Sequence, residues 1–105
     1  MASMVHVEAR TPMLERVRAH AAAIREIVER HGATNPRVFG SVARGEERDG
    51  SDVDFVVRNV RLSLFDLVRL ERELAGFLGV PVEVVTECEV PERARVSVIE
   101  RAVPL

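Results

Sequence analysis

The sequence holds one cysteine, Cys88, and neither tryptophan nor tyrosine. A single thiol cannot close an internal disulfide, which fits a reducing compartment, and Cys88 has no catalytic partner in the pattern, so it reads as structural. Four phenylalanines are the whole aromatic complement, too few to offer rings on which successive nucleobases could stack. No block of one charge sign runs along the chain. Its 15 basic and 17 acidic residues leave a formal charge of −2, without the basic stripe of a protein that tracks a nucleic-acid polymer. No apolar run approaches the roughly 20 residues of a membrane-spanning helix. The opening MASMVHVEAR lacks the apolar centre of a secretion signal. These absences predict a cytoplasmic protein with neither a membrane nor a nucleic-acid polymer as partner.

What is present is ordinary for a globular chain: 105 residues, 47% hydrophobic and 30% charged. That length supports one domain over residues 1–105 with a single core, with residues 1–10 either disordered ahead of it or in part added to the natural chain. With so few rings, the core must come from Leu, Val, Ile and Ala.

Leu14, Val17, Ala21, Ile24 and Val28 recur at steps of three and four, which predicts a helix over residues 12–31. Thr11 and Pro12 start it and Gly32 stops it. RVFG follows as a short strand running into Gly40, and SVARG as a helical turn. SDVDFVV is a second strand, with Val53, Phe55 and Val57 on one face and Asp52, Asp54 and Val56 on the other. Ser63 and Asp66 resemble a capping box that opens a helix ending at Gly79, with Leu67, Leu70, Leu74, Phe77 and Leu78 as its apolar stripe. VPVEVV is a third strand, apolar on both faces apart from Glu83 and so expected to be buried on both. Pro91 opens a last short helix carrying Val96 and Ile99, and AVPL adds an edge strand. Strands separated by helices predict an α/β domain, a small mixed β-sheet with helices packed on it.

Asp52 and Asp54 carry the chemistry. Alternate strand residues share a face roughly 6.5 Å apart, and two unpaired carboxylates beside a buried strand would be costly. Either they are solvated at the sheet's rim, or a divalent cation such as Mg²⁺ lies between them. Upstream, Gly40 and Ser41 end a strand and enter a helical turn. A glycine there admits a close approach of backbone to ligand, and the turn presents N–H groups and a hydroxyl suited to phosphate. It reads equally as a plain glycine turn with Ser41 capping the helix. Taken together, a phosphate seat and a carboxylate pair with ten residues between them are the parts of metal-assisted nucleotidyl transfer. Glu83, the lone charge of the third strand, is a candidate third acidic ligand or base. Arg44 either faces a phosphate or faces solvent.

The stretch GSVARGEERDGSDVDFVV resembles the G-S-x10-D-x-D signature of the DNA polymerase beta-like nucleotidyltransferase superfamily, and within it the minimal nucleotidyltransferases, the MntA-like antitoxins. The preceding helix, the PVEVVTE strand and the terminal IERAVPL extend the likeness over nearly the whole chain. The resemblance implies the nucleotidyltransferase fold, with Gly40 and Ser41 as nucleotide contacts and Asp52 and Asp54 as catalytic metal ligands; Arg44 is a candidate further nucleotide contact and Glu83 a candidate third catalytic residue and metal ligand. Glu83 stands where the family often has an aspartate, and its extra methylene moves the carboxylate by about a bond length. The resemblance further implies Mg²⁺ as cofactor, ATP as substrate, and a HEPN-type ribonuclease toxin as partner, silenced by transfer of AMP to a tyrosine. Two other functions stay open: an antitoxin that neutralises by binding alone, and a small-molecule nucleotidyltransferase whose acceptor site comes from a partner.

Arg25 and His31 in REIVERH match the loose R-x4-6-H spacing of that toxin's ribonuclease motif, but they lie on one amphipathic helix, where chance explains the spacing. His6 and His20 have no metal-ligand neighbours in the sequence and read as structural.

Overall fold

The computed structural model describes residues 12–48, 51–59 and 62–105; the readings of residues 1–10, of His6 and of Thr11 concern residues outside these. The predicted first helix is two: α1, Met13–Ala19, and α2, Ala21–Arg30. His20 breaks the ladder at φ −107° and ψ 19°, although neither glycine nor proline marks the place. Its ring meets Phe77 edge to face, with centroids 5.3 Å apart, a tertiary contact that no local pattern announces. Val17, Ile24, Ile27 and Val28 still form one buried stripe.

Strand β1, Ala33–Phe39, begins earlier than RVFG because its first residues pair with the far end of β2, Val53–Asn59. The antiparallel register shifts between Thr34 and Arg37, where Asn35 takes φ 53°. This bulge changes the phase of alternation, so that Ala33 and Val38, an odd number of positions apart, both face the helices. A five-residue helix, α3 (Gly40–Arg44), joins β1 to the loop before β2. Helix α4, Leu64–Leu78, opens on the expected capping box between Ser63 and Asp66 and ends at Gly79. Strand β3, Val82–Thr86, runs parallel to β2, and β4, Val103–Pro104, pairs antiparallel with β1.

The sheet order is β3-β2-β1-β4. Strand β3 is therefore an edge, which corrects the expectation that it is buried on both sides: Val84 and Thr86 are buried, Val82 and Val85 half-buried, and Glu83 exposed. The physical reason is that no described strand lies on its outer side. There the Val84 N–H, which a further strand would have taken up, donates to the Glu71 carboxylate of α4 at 2.8 Å.

One sheet face carries the main core. Val38, Phe55, Val57 and Val84 meet Ile24, Val28, Leu70 and Leu74, all essentially sealed from solvent. Burying a side chain such as Phe55 contributes about 1.5–3 kcal/mol. The opposite face bears Phe39, Asp54, Val56, Glu83 and Val85. Short turns at Glu87–Glu89 and Glu92–Ala94 and a π-helical turn at Val96–Glu100 follow β3 in place of the single predicted helix. They are tied to this face by Glu87, whose carboxylate accepts from Arg37 at 2.6 Å and from Arg58 at 3.1 Å, while its carbonyl accepts from Arg95. Among the described residues no helix is long and apolar enough to cross a membrane.

Candidate active site

Gly40 stands where β1 ends. Phe39 is still extended, and Gly40 turns the chain into α3 at φ +75°, a conformation open to glycine. A Cβ on Gly40 would lie 2.5 Å from Asp54 Oδ2. The missing side chain thus lets the first turn of α3 come against the Asp54 carboxyl, because Phe39 and Asp54 are cross-strand partners. Ser41 is inside the first turn and not its cap; the cap position belongs to Phe39, and no side chain bonds there. The Ser41 hydroxyl makes no hydrogen bond among the described residues. Arg44, at the end of the same helix, is exposed and paired with Glu46.

Asp54 is the second residue of β2, and Asp52 lies just ahead of that strand, exposed. The parallel register sets Glu83 beside Asp54. Burial, the charges of Glu83 and Asp52, and a hydrogen bond with Glu83 push the Asp54 carboxyl up to about 6, while Arg44 pulls the other way. Burial and the neighbouring carboxylates favour the neutral form of Asp54 below that value.

Two cavities share Phe39 as a wall. The larger, ≈ 280 Å³, has Asp54, Glu83 and Glu89 among an apolar lining that includes Val85, Val90 and Val98. The smaller, ≈ 90 Å³, is lined by Phe39, Gly40, Ala43, Arg44, Ser97 and Arg101. The charged groups of the first are all carboxylates; those of the second are all guanidinium groups. Polyphosphate suits the basic cavity, and a proton or a divalent cation suits the acidic one.

The structure brings Gly40, Ser41, Asp54 and Glu83 together, with Arg44 and Asp52 acting on Asp54 through their charge. Among the described residues no three acidic, histidine or cysteine side chains converge as metal ligands. Asp54, with the charges of Asp52 and Glu83 beside it, offers the hard oxygen donors that Mg²⁺ takes. Mg²⁺ is commonly held by one or two carboxylates together with waters and substrate phosphates, so the residues fit such an ion. Sequence reasoning missed Glu89, Ser97 and Arg101. The C-terminal turns carry them, and no spacing relative to Gly40 or Asp54 could have located them. His31 bonds Glu73 at 2.8 Å and so ties α2 to α4, which accounts for it without the Arg25 spacing. Cys88 lies within 3.3 Å of the Thr86 hydroxyl and is exposed.

The profile of the nucleotidyltransferase domain family matches residues 21–105. A Methanocaldococcus jannaschii protein assigned as a protein adenylyltransferase is 44% identical over 61 residues, which are 57% of this chain and 66% of that protein, just under two thirds of it. The protein adenylyltransferase MntA of Thermococcus cleftensis is 34% identical over 80 residues, 75% of this chain and 81% of its relative. A solved structure assigned as a minimal nucleotidyltransferase superposes with a TM-score of 0.77 at 45% identity, over 88% of this chain and 95% of the other. A toxin–antitoxin crystal structure with AMP-PNP superposes at 0.66 and 20% identity, over 75% and 66% of the two chains, a likeness of fold. The chain belongs to the nucleotidyltransferase domain family, and the relatives it matches carry the name protein adenylyltransferase.

Proposed function

We propose that this protein is an antitoxin that transfers AMP from ATP, with Mg²⁺, to a tyrosine hydroxyl of a HEPN-type ribonuclease toxin. The observation that carries the reading is the contact of the Gly40 turn with Asp54, itself paired with Glu83. A glycine turn of a kind suited to phosphate, lying against a pair of carboxylates, supports the reading. The name of the Thermococcus cleftensis relative supports adenylyl as the group transferred. The shared fold of the toxin–antitoxin structure supports a protein partner.

The residues divide the work. Gly40, Ser41 and Arg44 hold the triphosphate, and Arg101 lines one cavity with Gly40 and Arg44. Asp52 and Asp54 are the residues that would hold Mg²⁺, whose bound charge supplies neutralisation of the phosphate oxygens. Glu83 orients the acceptor hydroxyl and takes its proton. The acceptor oxygen bonds to the α-phosphorus, the bond from that phosphorus to the β-phosphate bridging oxygen breaks, and pyrophosphate leaves. Atoms and charge balance with the proton on Glu83.

Incubation of the protein with α-labelled ATP, Mg²⁺ and a co-expressed HEPN-type toxin tests the reading. Label is expected on a toxin tyrosine by mass spectrometry. Neutralisation without label would assign an antitoxin that acts by binding, and label on a small molecule would assign a different acceptor.

A further inference from the structure

The three acidic side chains of α4 are all engaged within the protein. Asp66 closes the capping box with Ser63, Glu71 holds the Val84 N–H, and Glu73 holds Arg30 and His31. Its two arginines, Arg69 and Arg72, are exposed and make no hydrogen bond or salt bridge among the described residues; Arg69 acts on Asp66 only through its charge. Beside them Leu64 is 76% exposed, Phe65 78% and Val68 38%. At 100° per residue, Leu64, Val68, Arg72, Phe65 and Arg69 fall within an arc of roughly 140°. The outward face of α4 is thus apolar and basic, on a chain whose net charge is −2.

Large apolar side chains clustered in water and rimmed by charge mark an interaction surface. A second copy of this chain is a poor occupant, because a two-fold contact over this face would crowd four guanidinium groups. We propose that this face of α4 docks an amphipathic helix of a different protein, whose apolar stripe is flanked by Asp and Glu. Leu64, Phe65 and Val68 would seat the stripe, the helix-in-groove mode of recognition, and Arg69 and Arg72 would meet the acids. The groove beside Leu64 and Leu67 reaches Glu89, which also lines the carboxylate cavity. The inference rests on the partner-binding half of the proposed function and gives it a location, without requiring transfer.

The test is an NMR titration of the ¹⁵N-labelled full chain with two designed helical peptides that share a leucine stripe, one flanked by Glu and the other by Lys. The Glu peptide is expected to give saturable shifts centred on α4 and to bind about five- to tenfold tighter than the Lys peptide. Arg69→Glu with Arg72→Glu should reverse the preference, and Phe65→Ser should weaken both peptides about tenfold or more. Equal affinity for the two peptides, binding of neither, or shifts centred elsewhere would overturn the proposal. So would a dimer in sedimentation that Phe65→Ser dissolves, since it gives the face to self-association. ATP binding by the same variants should match the wild type; a wild type that binds peptide but no ATP defeats the transfer chemistry and leaves the docking face standing.

Discussion

Asp54 and Glu83 sit side by side on two parallel strands, and the Glu83 carboxylate helps to raise the Asp54 carboxyl. They come from segments separated by a 15-residue helix, and the register of β2 against β3 alone makes them a pair.

The first prediction concerns pH. The Asp54 carboxyl is raised from 3.8 to about 6, so between these values the folded chain keeps a proton that the unfolded chain has lost. The stability this gives is fully present below pH about 4 and is lost as pH rises through 6. Without divalent ions, melting should therefore occur at higher temperature at pH 5 than at pH 7. Asp66, Glu73 and Glu87 are lowered and act in the opposite sense, but at and below their ordinary values of 3.8 and 4.5, so the comparison is made from pH 5 upward. Asp54→Asn should flatten the slope, raise the melting temperature at pH 7 and abolish transfer. Added Mg²⁺ should stabilise the wild type at pH 7 and not the variant. A slope that survives in Asp54→Asn would refute the assignment.

Gly40→Ala should cost about 1–3 kcal/mol in urea unfolding and at least tenfold in transfer, because the new Cβ meets Asp54 and the backbone is held at positive φ. Gly45→Ala is the control: its φ is +71° but nothing lies within 4 Å of an added Cβ. It should lose only the backbone part, about 1 kcal/mol, and keep transfer.

Glu83→Gln and Arg101→Ala should separate chemistry from binding. The first is expected to lower turnover by roughly 10²–10⁴ with ATP affinity within about twofold of wild type. The second should weaken ATP by about five- to tenfold and leave AMP unaffected, as one lost phosphate contact of an exposed arginine. Calorimetric titration with each nucleotide reads both.

Glu87→Gln should destabilise the chain by about 2 kcal/mol or more at pH 7. Burial would raise this carboxyl, but Arg37 and Arg58 hold it below its ordinary range, and the Arg37 guanidinium, only 10% exposed, would lose its anion. Equilibrium unfolding in urea measures it; a change below about 0.5 kcal/mol would show that the network adds nothing.

The sequence by itself determined the local features. Alternation in VDFVV places Asp54 opposite the core, the Ser63–Asp66 box starts α4, and Gly79 ends it, because each depends on residues within one turn or one strand. The Gly40–Ser41 and Asp52–Asp54 spacing was legible for the same reason, since a single strand–turn–strand unit carries it. Tertiary structure decided the rest. It made β3 an edge, which no apolar pattern distinguishes from a buried strand, and it chose the register that sets Glu83 against Asp54. It broke the first helix at His20 against Phe77, brought Arg101 to Gly40, and left Leu64 and Phe65 in water. Each of these results from packing between segments far apart in the chain. Periodicity states which face of an element is apolar, but what that face meets is fixed only when the elements assemble.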